Sequence, residues 1–138
     1  MSNVLMRKRG ISELEFWKNG AEIRAVLTRY LMSEKHVPKR YTFIFTFPGI
    51  EYTRKMMDAI TAANTIYPTN EAEVAERRKH QTEAIIACEQ IIQHLQWLID
   101  TLPVKVSDFE AITELVNKEV ALLKAWRKQN KVLTSKGE

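Results

Sequence analysis

A chain of 138 residues has the length of one ordinary domain, and its shares of hydrophobic (45%) and charged (28%) residues exclude global disorder. Four glycines and four prolines are few for the many turns of a β sandwich. The net charge of +4 suits a nucleic acid or an acidic protein as partner, and no apolar run approaches the roughly 18 residues that cross a membrane. Cys88 is the single cysteine and cannot form an internal disulfide. We therefore expect a cytoplasmic protein with no membrane contact.

The first helix is predicted over residues 12–35, with apolar side chains along one face. Ser12 and Glu15 have the spacing of a capping box, in which each side chain accepts from a backbone N–H at the helix start. Gly20 is a weak point, because glycine costs a helix about 1 kcal/mol relative to alanine. Pro38 ends the segment, because the residue before a proline disfavours the α conformation.

Residues 41–47 alternate aromatic side chains with Thr or Ile, a pattern typical of a strand. The sequence contains no second convincing strand, and an isolated strand is not stable. We therefore favour an irregular or helical lead-in to the second helix that packs its rings. An extended segment covered by the helices is the alternative.

Two more helices are predicted over residues 48–66 and 71–102. Pro48 suits a first helical position. Asn70 can cap the third helix, with Glu73 three residues on, and Pro103 stops it.

The fourth helix is predicted over residues 108–130, with Ser107 and Glu110 as a second capping box. Helices that are each apolar along one stripe bury those stripes against each other, and short connections make consecutive helices antiparallel. The sequence therefore predicts an all-α, up-and-down antiparallel four-helix bundle. Its organisation is a basic N-terminal arm (1–11), the bundle (12–130) and a polar tail (131–138).

Residues that suggest catalysis are few. Cys88 lies on the apolar stripe of the third helix, which favours a buried small hydrophobe over a nucleophile. No Glu stands three residues before any His, as a di-metal bundle requires. His80 lies between Glu76 and Glu83 at helical spacing, which leaves a metal site as a weaker alternative to a solvated face. With no Gly-rich phosphate loop, we expect no enzyme, no metal and no cofactor.

Basic residues are the stronger signal. The end of the fourth helix carries four at spacings of three and four residues, and the start of the third carries three in a row followed by His80. We expect these two groups and the N-terminal arm to converge on one end of the bundle, where they can neutralise phosphates. The alternative is the helix macrodipole, which alone favours cations near a helix C-terminus. The candidate binding residues are Arg7, Lys8, Arg9, Lys39, Arg40, Arg77, Arg78, Lys79, Lys124, Arg127, Lys128 and Lys131.

Two short motifs carry a resemblance to a known family. Pro38, Lys39, Tyr41 and Thr42 precede the second helix, and Trp126-Arg127-Lys128 closes the fourth. Over residues 11–131 the chain resembles the four helix bundle protein superfamily. That group holds proteins encoded in intervening sequences of bacterial ribosomal RNA genes, and the accessory variability determinant (Avd) proteins of diversity-generating retroelements.

The resemblance implies a homopentamer, with five bundles forming a barrel around a basic lumen. It also implies a protein that binds the reverse transcriptase of a retroelement and its template RNA, and supports mutagenic, adenine-directed copying into cDNA. Lys39, Arg40 and the basic residues of the fourth helix fall where the family tends to be basic. An intervening-sequence-type interaction protein with no reverse transcriptase partner is the alternative.

The chain also departs from the family pattern. Residues 43–48 replace the Leu-Gly and polar residues that usually follow the aromatic-Thr pair. We interpret the extra phenylalanines as an added packing surface, for example at a subunit boundary. The arm formed by Arg7, Lys8 and Arg9 has no counterpart in the family.

Overall fold

The computed structural model describes residues 14–133, and four helices form most of this part of the chain. They are α1 (Glu15–Met32), α2 (Phe47–Thr65), α3 (Glu71–Thr101) and α4 (Glu110–Lys128). The described residues contain no strand. The predicted all-α four-helix fold is confirmed.

Contacts between helix ends give the direction of each helix. Phe16 at the start of α1 stacks on Trp126 at the end of α4, with ring centroids 3.9 Å apart. Tyr30 near the end of α1 lies 4.9 Å from Phe109, just before α4, and its hydroxyl donates to Asp108 at 3.3 Å. Helices α1 and α4 are therefore antiparallel.

The other neighbouring helices are also antiparallel. Thr46 donates its hydroxyl to the carbonyl of Leu31 at 2.9 Å, so α2 begins where α1 ends. The ring of His94 near the end of α3 lies 2.9 Å from the carbonyl oxygen of Phe45, just before α2. Each helix packs mainly on two neighbours, in the ring order α1, α2, α3, α4. The bundle is up-and-down, as short connections require.

The predicted apolar stripes meet in one core, and burying each large aliphatic side chain contributes about 1.5–3 kcal/mol. Packing therefore outweighs the modest intrinsic propensities of these helices. The side chains with no more than 2% exposure include Ile23, Leu27, Leu31, Met56, Met57, Ile60, Ile91, Leu98 and Leu123.

The segment before α2 is helical. Residues Lys39–Tyr41 form a 3₁₀ turn and Thr42–Thr46 a π-helical turn that continues into α2. The favoured helical lead-in is confirmed and the extended alternative is wrong. The prediction that this segment packs its aromatic rings is confirmed only in part, because Phe45 is fully buried while Phe43 is 80% exposed. Phe43 and Phe47 are four residues apart and share the outward side of this segment.

The predicted N-cap of α3, Asn70, is present, but the Glu73 carboxylate binds a different residue from the one predicted. Asn70 Oδ1 accepts from the backbone N–H of Glu73 at 2.9 Å. The Glu73 carboxylate accepts from the backbone N–H and hydroxyl of Thr69, both at 2.7 Å, so it binds Thr69 and not Asn70. These hydrogen bonds hold the pKa of Glu73 below its ordinary value.

The predicted capping box of Ser107 and Glu110 is not observed. Ser107 lies inside a 3₁₀ turn, Val106–Phe109, and α4 begins at Glu110 with no side-chain cap. The predicted box is wrong because this turn already uses backbone hydrogen bonds, such as that from Asp108 to Lys105, at 3.0 Å. Ser12 lies outside the described residues.

Helix boundaries also differ from the prediction by one to three residues. Helix α1 ends at Met32 instead of residue 35, because Ser33 has an extended backbone. Helix α4 ends at Lys128 instead of residue 130. Helix α2 starts at Phe47, one residue before the proline, because the π turn continues into it.

Gly20 has a packing reason for lying inside α1. A Cβ there would be 2.9 Å from the Met57 sulfur and 3.1 Å from Glu119 Oε2. The missing side chain therefore lets α2 and α4 bring these two groups close to the α1 backbone.

Candidate functional site

Two of the basic groups predicted to converge are brought together. Arg127 near the end of α4 donates through Nη1 to the hydroxyl of Thr82 on α3, at 3.0 Å. The guanidinium of Arg77 on α3 lies 5.4 Å from the ring centre of Trp126, a cation–π distance. Arg77 is partly desolvated, and this burial lowers the pKa of its guanidinium below the ordinary value. The start of α3 and the end of α4 therefore form one basic surface.

We call this surface the basic end. Within residues 14–133, none of its side chains lies within 4.0 Å of a carboxylate oxygen. The nearby Glu76 and Glu83 both contact His80, at 3.2 and 2.9 Å. The cations are therefore available to an anionic partner. The basic end consists of Arg77, Arg78, Lys79, Lys124, Arg127, Lys128 and Lys131.

The predicted stripe on the fourth helix is wrong at its last member. Helix α4 ends at Lys128, so Lys131 lies beyond the helix and does not continue its periodicity. The chain turns there because Asn130 exchanges two side-chain hydrogen bonds with the buried Gln81, at 2.6 and 3.3 Å. Leu133 then donates its backbone N–H to Pro68 at 2.8 Å. Lys131 is exposed on this crossing segment.

The remaining candidates do not join the basic end. Lys39 and Arg40 lie in the loop between α1 and α2, at the opposite end of the bundle, and both are exposed. The Arg40 guanidinium lies 5.2 Å from the ring centre of Tyr41. Arg7, Lys8 and Arg9 lie outside the described residues.

Beside Lys39 and Arg40 is a group of exposed apolar side chains, which we call the aromatic face: Phe43, Ile44, Phe47 and Trp97. Their exposed fractions are 80%, 43%, 51% and 53%. The rings of Phe43 and Phe47 meet edge to face with centroids 5.3 Å apart. The Trp97 ring packs on that of the buried Phe45, with ring centroids 4.8 Å apart. A cleft of about 650 Å³ lies between Ile44 and Trp97.

Sequence reasoning noted the extra phenylalanines and missed Trp97. A signal was present, because Trp97 falls between Leu95 and Ile99, which belong to the predicted apolar stripe. A residue two positions from each stripe member points away from it on a helix. The exposure of Trp97 was therefore predictable from its position.

A buried carboxyl group was also missed. Glu119 on α4 is fully buried, and burial raises its pKa to about 8. The Asn19 amide donates to its Oε1 at 3.0 Å, while Oε2 has no hydrogen-bond partner within the described residues. The signal was its spacing, since Glu119 stands three residues after Val116 and four before Leu123 on the apolar face.

Cys88 is buried, as predicted, with its sulfur 3.6 Å from that of Met56. Burial, with the nearby Glu119 and Glu89, raises the pKa of the thiol. Its environment is that of a core residue and not of a nucleophile. Among residues 14–133 no group of three or more His, Cys, Asp or Glu has the arrangement of a metal site.

The fold and its surfaces define an all-α antiparallel four-helix bundle with a basic end and an aromatic face at opposite ends. No family model, curated protein or solved structure matches the chain. Within the described part, no helix is both long and apolar enough to cross a membrane.

Proposed function

We propose that this protein is a non-enzymatic accessory protein of a diversity-generating retroelement. In this role it binds the reverse transcriptase and the template RNA, and the cDNA copied from it, and so supports mutagenic reverse transcription. The proposal combines the resemblance carried by the two short motifs with the chemistry of the basic end. The family pattern also suggests that it acts as a homopentamer.

The observation that carries the proposal is the meeting of the two basic groups around Trp126 and Thr82. Seven cations that have no carboxylate partner within residues 14–133 lie at one end of a protein whose formal charge is only +4. Such a concentration of charge favours a polyanion, because each phosphate contact releases bound counterions. Its contacts need not read base edges, which suits a protein that holds RNA for a polymerase.

The test measures binding of a labelled RNA hairpin at two salt concentrations. Replacing Lys124, Lys128 and Lys131 together with Gln removes three exposed cations and leaves the Arg127–Thr82 hydrogen bond intact. We expect weaker binding and a slope of log K against log salt that is shallower by up to about 2.7, from about 0.9 for each of three lost phosphate contacts with a duplex.

The matched control replaces Arg24, Arg29 and Lys105 with Gln. These exposed cations lie outside the basic end and give the same change in net charge. We expect the control to retain nearly all of the salt slope. Equal effects of the two triple variants would remove the basic end from the proposal.

The reverse transcriptase partner is tested separately. The genes beside this one discriminate between a retroelement, with a reverse transcriptase and a template repeat, and a ribosomal RNA operon. Co-purification of the protein with an adjacent reverse transcriptase would support the accessory role. An intervening sequence as the genomic setting would favour the interaction protein without that partner. Light scattering of the full chain tests the pentamer.

A further inference from the structure

The aromatic face differs from the basic end in its chemistry. It presents flat rings beside cations, where the basic end presents mainly charge. We propose that the aromatic face, with Lys39 and Arg40, binds unpaired nucleotides of a single-stranded nucleic acid by stacking bases on its rings. This inference rests on the proposed function, because it names the form of RNA that a second surface of the same protein would hold.

The first argument is the exposure of the rings. Phe43 is 80% exposed and Trp97 is 53% exposed, and together with Phe47 they present π surfaces to solvent. Exposed apolar groups of this size mark contact surfaces in a folded chain. A base has a π face whatever its identity, so ring stacking binds single strands with little sequence preference.

The second argument is the rigidity of the segment that carries the rings. Phe45 is fully buried between the exposed Phe43 and Phe47 and anchors the π-helical turn. Its carbonyl accepts from the His94 ring at 2.9 Å, and the next residue, Thr46, donates to Leu31 at 2.9 Å. The backbone that carries the rings is therefore held in place before a ligand arrives, which reduces the entropic cost of binding.

The third argument is charge complementarity. Lys39 and Arg40 directly precede the rings and have no carboxylate partner within residues 14–133. The Lys39 carbonyl accepts from the Thr42 hydroxyl at 2.7 Å, which fixes the turn that carries both cations. Unpaired cations adjoining exposed rings match the alternation of phosphates and bases along a strand.

These features favour a nucleic acid over a protein partner. A partner that covers the rings must also pair Lys39 and Arg40, which have no carboxylate partner within the described residues, and a nucleic acid supplies a phosphate for each. An acidic group, Asp100, lines the cleft beside Trp97 and accepts from Gln96 at 3.0 Å. Its charge repels phosphate, so we place the strand over Phe43 and Phe47 on the side of Arg40.

The two surfaces lie far enough apart to be tested separately. Arg77 and Trp97 are both on α3, and their separation along the helix axis is about 30 Å at 1.5 Å per residue. A short oligoadenylate of a few nucleotides is unable to span that distance. An RNA hairpin stem has paired bases and offers mainly phosphates, so it reports on the basic end.

The test measures binding of a short fluorescein-labelled oligoadenylate to the full chain by anisotropy. The double variant Phe43→Leu/Phe47→Leu keeps apolar side chains and removes both π surfaces. We expect its oligoadenylate affinity to fall about tenfold or more, the effect of losing one or two base stacks, with hairpin binding unchanged. The control Ile86→Ala alters an exposed apolar side chain of α3 outside both surfaces and should leave both affinities unchanged.

Other results of these binding measurements would overturn the proposal for the aromatic face. Unchanged oligoadenylate affinity in the double variant overturns the inference and leaves the basic end as proposed. Oligoadenylate binding that is lost only in the Lys124/Lys128/Lys131 variant does the same. A chain that binds neither probe overturns both proposals. If light scattering shows that the double variant changes the assembled mass while oligoadenylate affinity is retained, the face lies between copies of the chain and the inference is wrong.

Discussion

The Asn19 side chain lies between two acceptors of α4, donating to Glu119 Oε1 at 3.0 Å and to the Leu115 carbonyl at 2.8 Å. It is the sole hydrogen-bond donor that the described residues offer to a carboxyl group buried in the bundle. The unpartnered Oε2 faces the Gly20 backbone. A charge at this place is poorly solvated, so the carboxyl group stays protonated at neutral pH.

The first prediction is a loss of stability with rising pH that comes from Glu119. Burial raises its pKa from the ordinary value of 4.5 to about 8, with Asn19 and Lys118 acting against the shift and Glu15 adding to it. Below pH 4.5 Glu119 is protonated in both the folded and the unfolded chain. Above pH 4.5 it loses its proton first in the unfolded chain. The contribution to the free energy of unfolding therefore falls between pH 4.5 and about 8, at up to about 1.4 kcal/mol per pH unit.

The groups that face Glu119 do not cancel this effect. Glu15 on α1 and Lys118 on α4 form their own ion pair at 2.9 Å on the surface, and Cys88 on α3 is an uncharged thiol. Urea unfolding across this range measures the slope. The variant Glu119→Gln removes the titration and should show a flatter profile, and Glu114→Gln, at an exposed site on α4, controls for the lost charge. Parallel profiles for wild type and Glu119→Gln would contradict the assignment.

The second prediction concerns the donor. Asn19→Ala removes the hydrogen bonds to Glu119 and Leu115 and should lower the free energy of unfolding by about 1–3 kcal/mol, because a buried polar group loses its partner. The hydrogen bond from Asn19 lowers the pKa of Glu119, so its loss should also move the midpoint of the pH effect upward. A double-mutant cycle with Glu119→Gln measures the coupling. Additive effects of the two changes would show that the residues act independently.

The third prediction concerns Cys88. Its sulfur is fully buried against Met56, and desolvation raises the thiol pKa, so little reactive thiolate forms in the folded chain. Labelling by a water-soluble disulfide reagent should be slow in buffer and rapid in urea. The variant Cys88→Ser provides the blank. Rapid labelling of the folded protein would mean that α2 and α3 separate readily at this level of the bundle.

Periodicity predicted the four helices because each has enough apolar residues on one face, as in the run from Ile112 to Leu123. It failed where a polar residue lies on that face. Glu119 and Gln81 were not predicted to be core residues, although their positions lie on the apolar faces, because the pattern does not show which buried polar groups find partners. The basic groups were assigned to one end from topology alone. The crossing of the tail was not predictable, because it depends on the pairing of Asn130 with Gln81.

The last prediction concerns Gly49, in the first turn of α2, where intrinsic propensity and packing give opposite expectations. Propensity alone predicts that Gly49→Ala stabilises the helix by about 1 kcal/mol. A Cβ there would lie 2.5 Å from Leu31 Cδ1 and 3.2 Å from the His94 ring, and Leu31 is almost fully buried. Overpacking at such a site costs about 1–3 kcal/mol, so we expect a net loss of stability.

The same substitution should disturb the segment that carries the aromatic face. A displaced His94 ring weakens its hydrogen bond to the Phe45 carbonyl, and a displaced Leu31 moves the acceptor of the Thr46 hydroxyl. Urea unfolding of Gly49→Ala measures the stability, and amide hydrogen exchange of residues 42–46 measures the local effect. The control Ala121→Gly, at an exposed position in the interior of α4, should lose about 1 kcal/mol from propensity alone and leave that exchange unchanged. A Gly49→Ala protein that is more stable than the wild type would show that α1 and α3 separate at little cost, and that the aromatic face is held less rigidly than these contacts require.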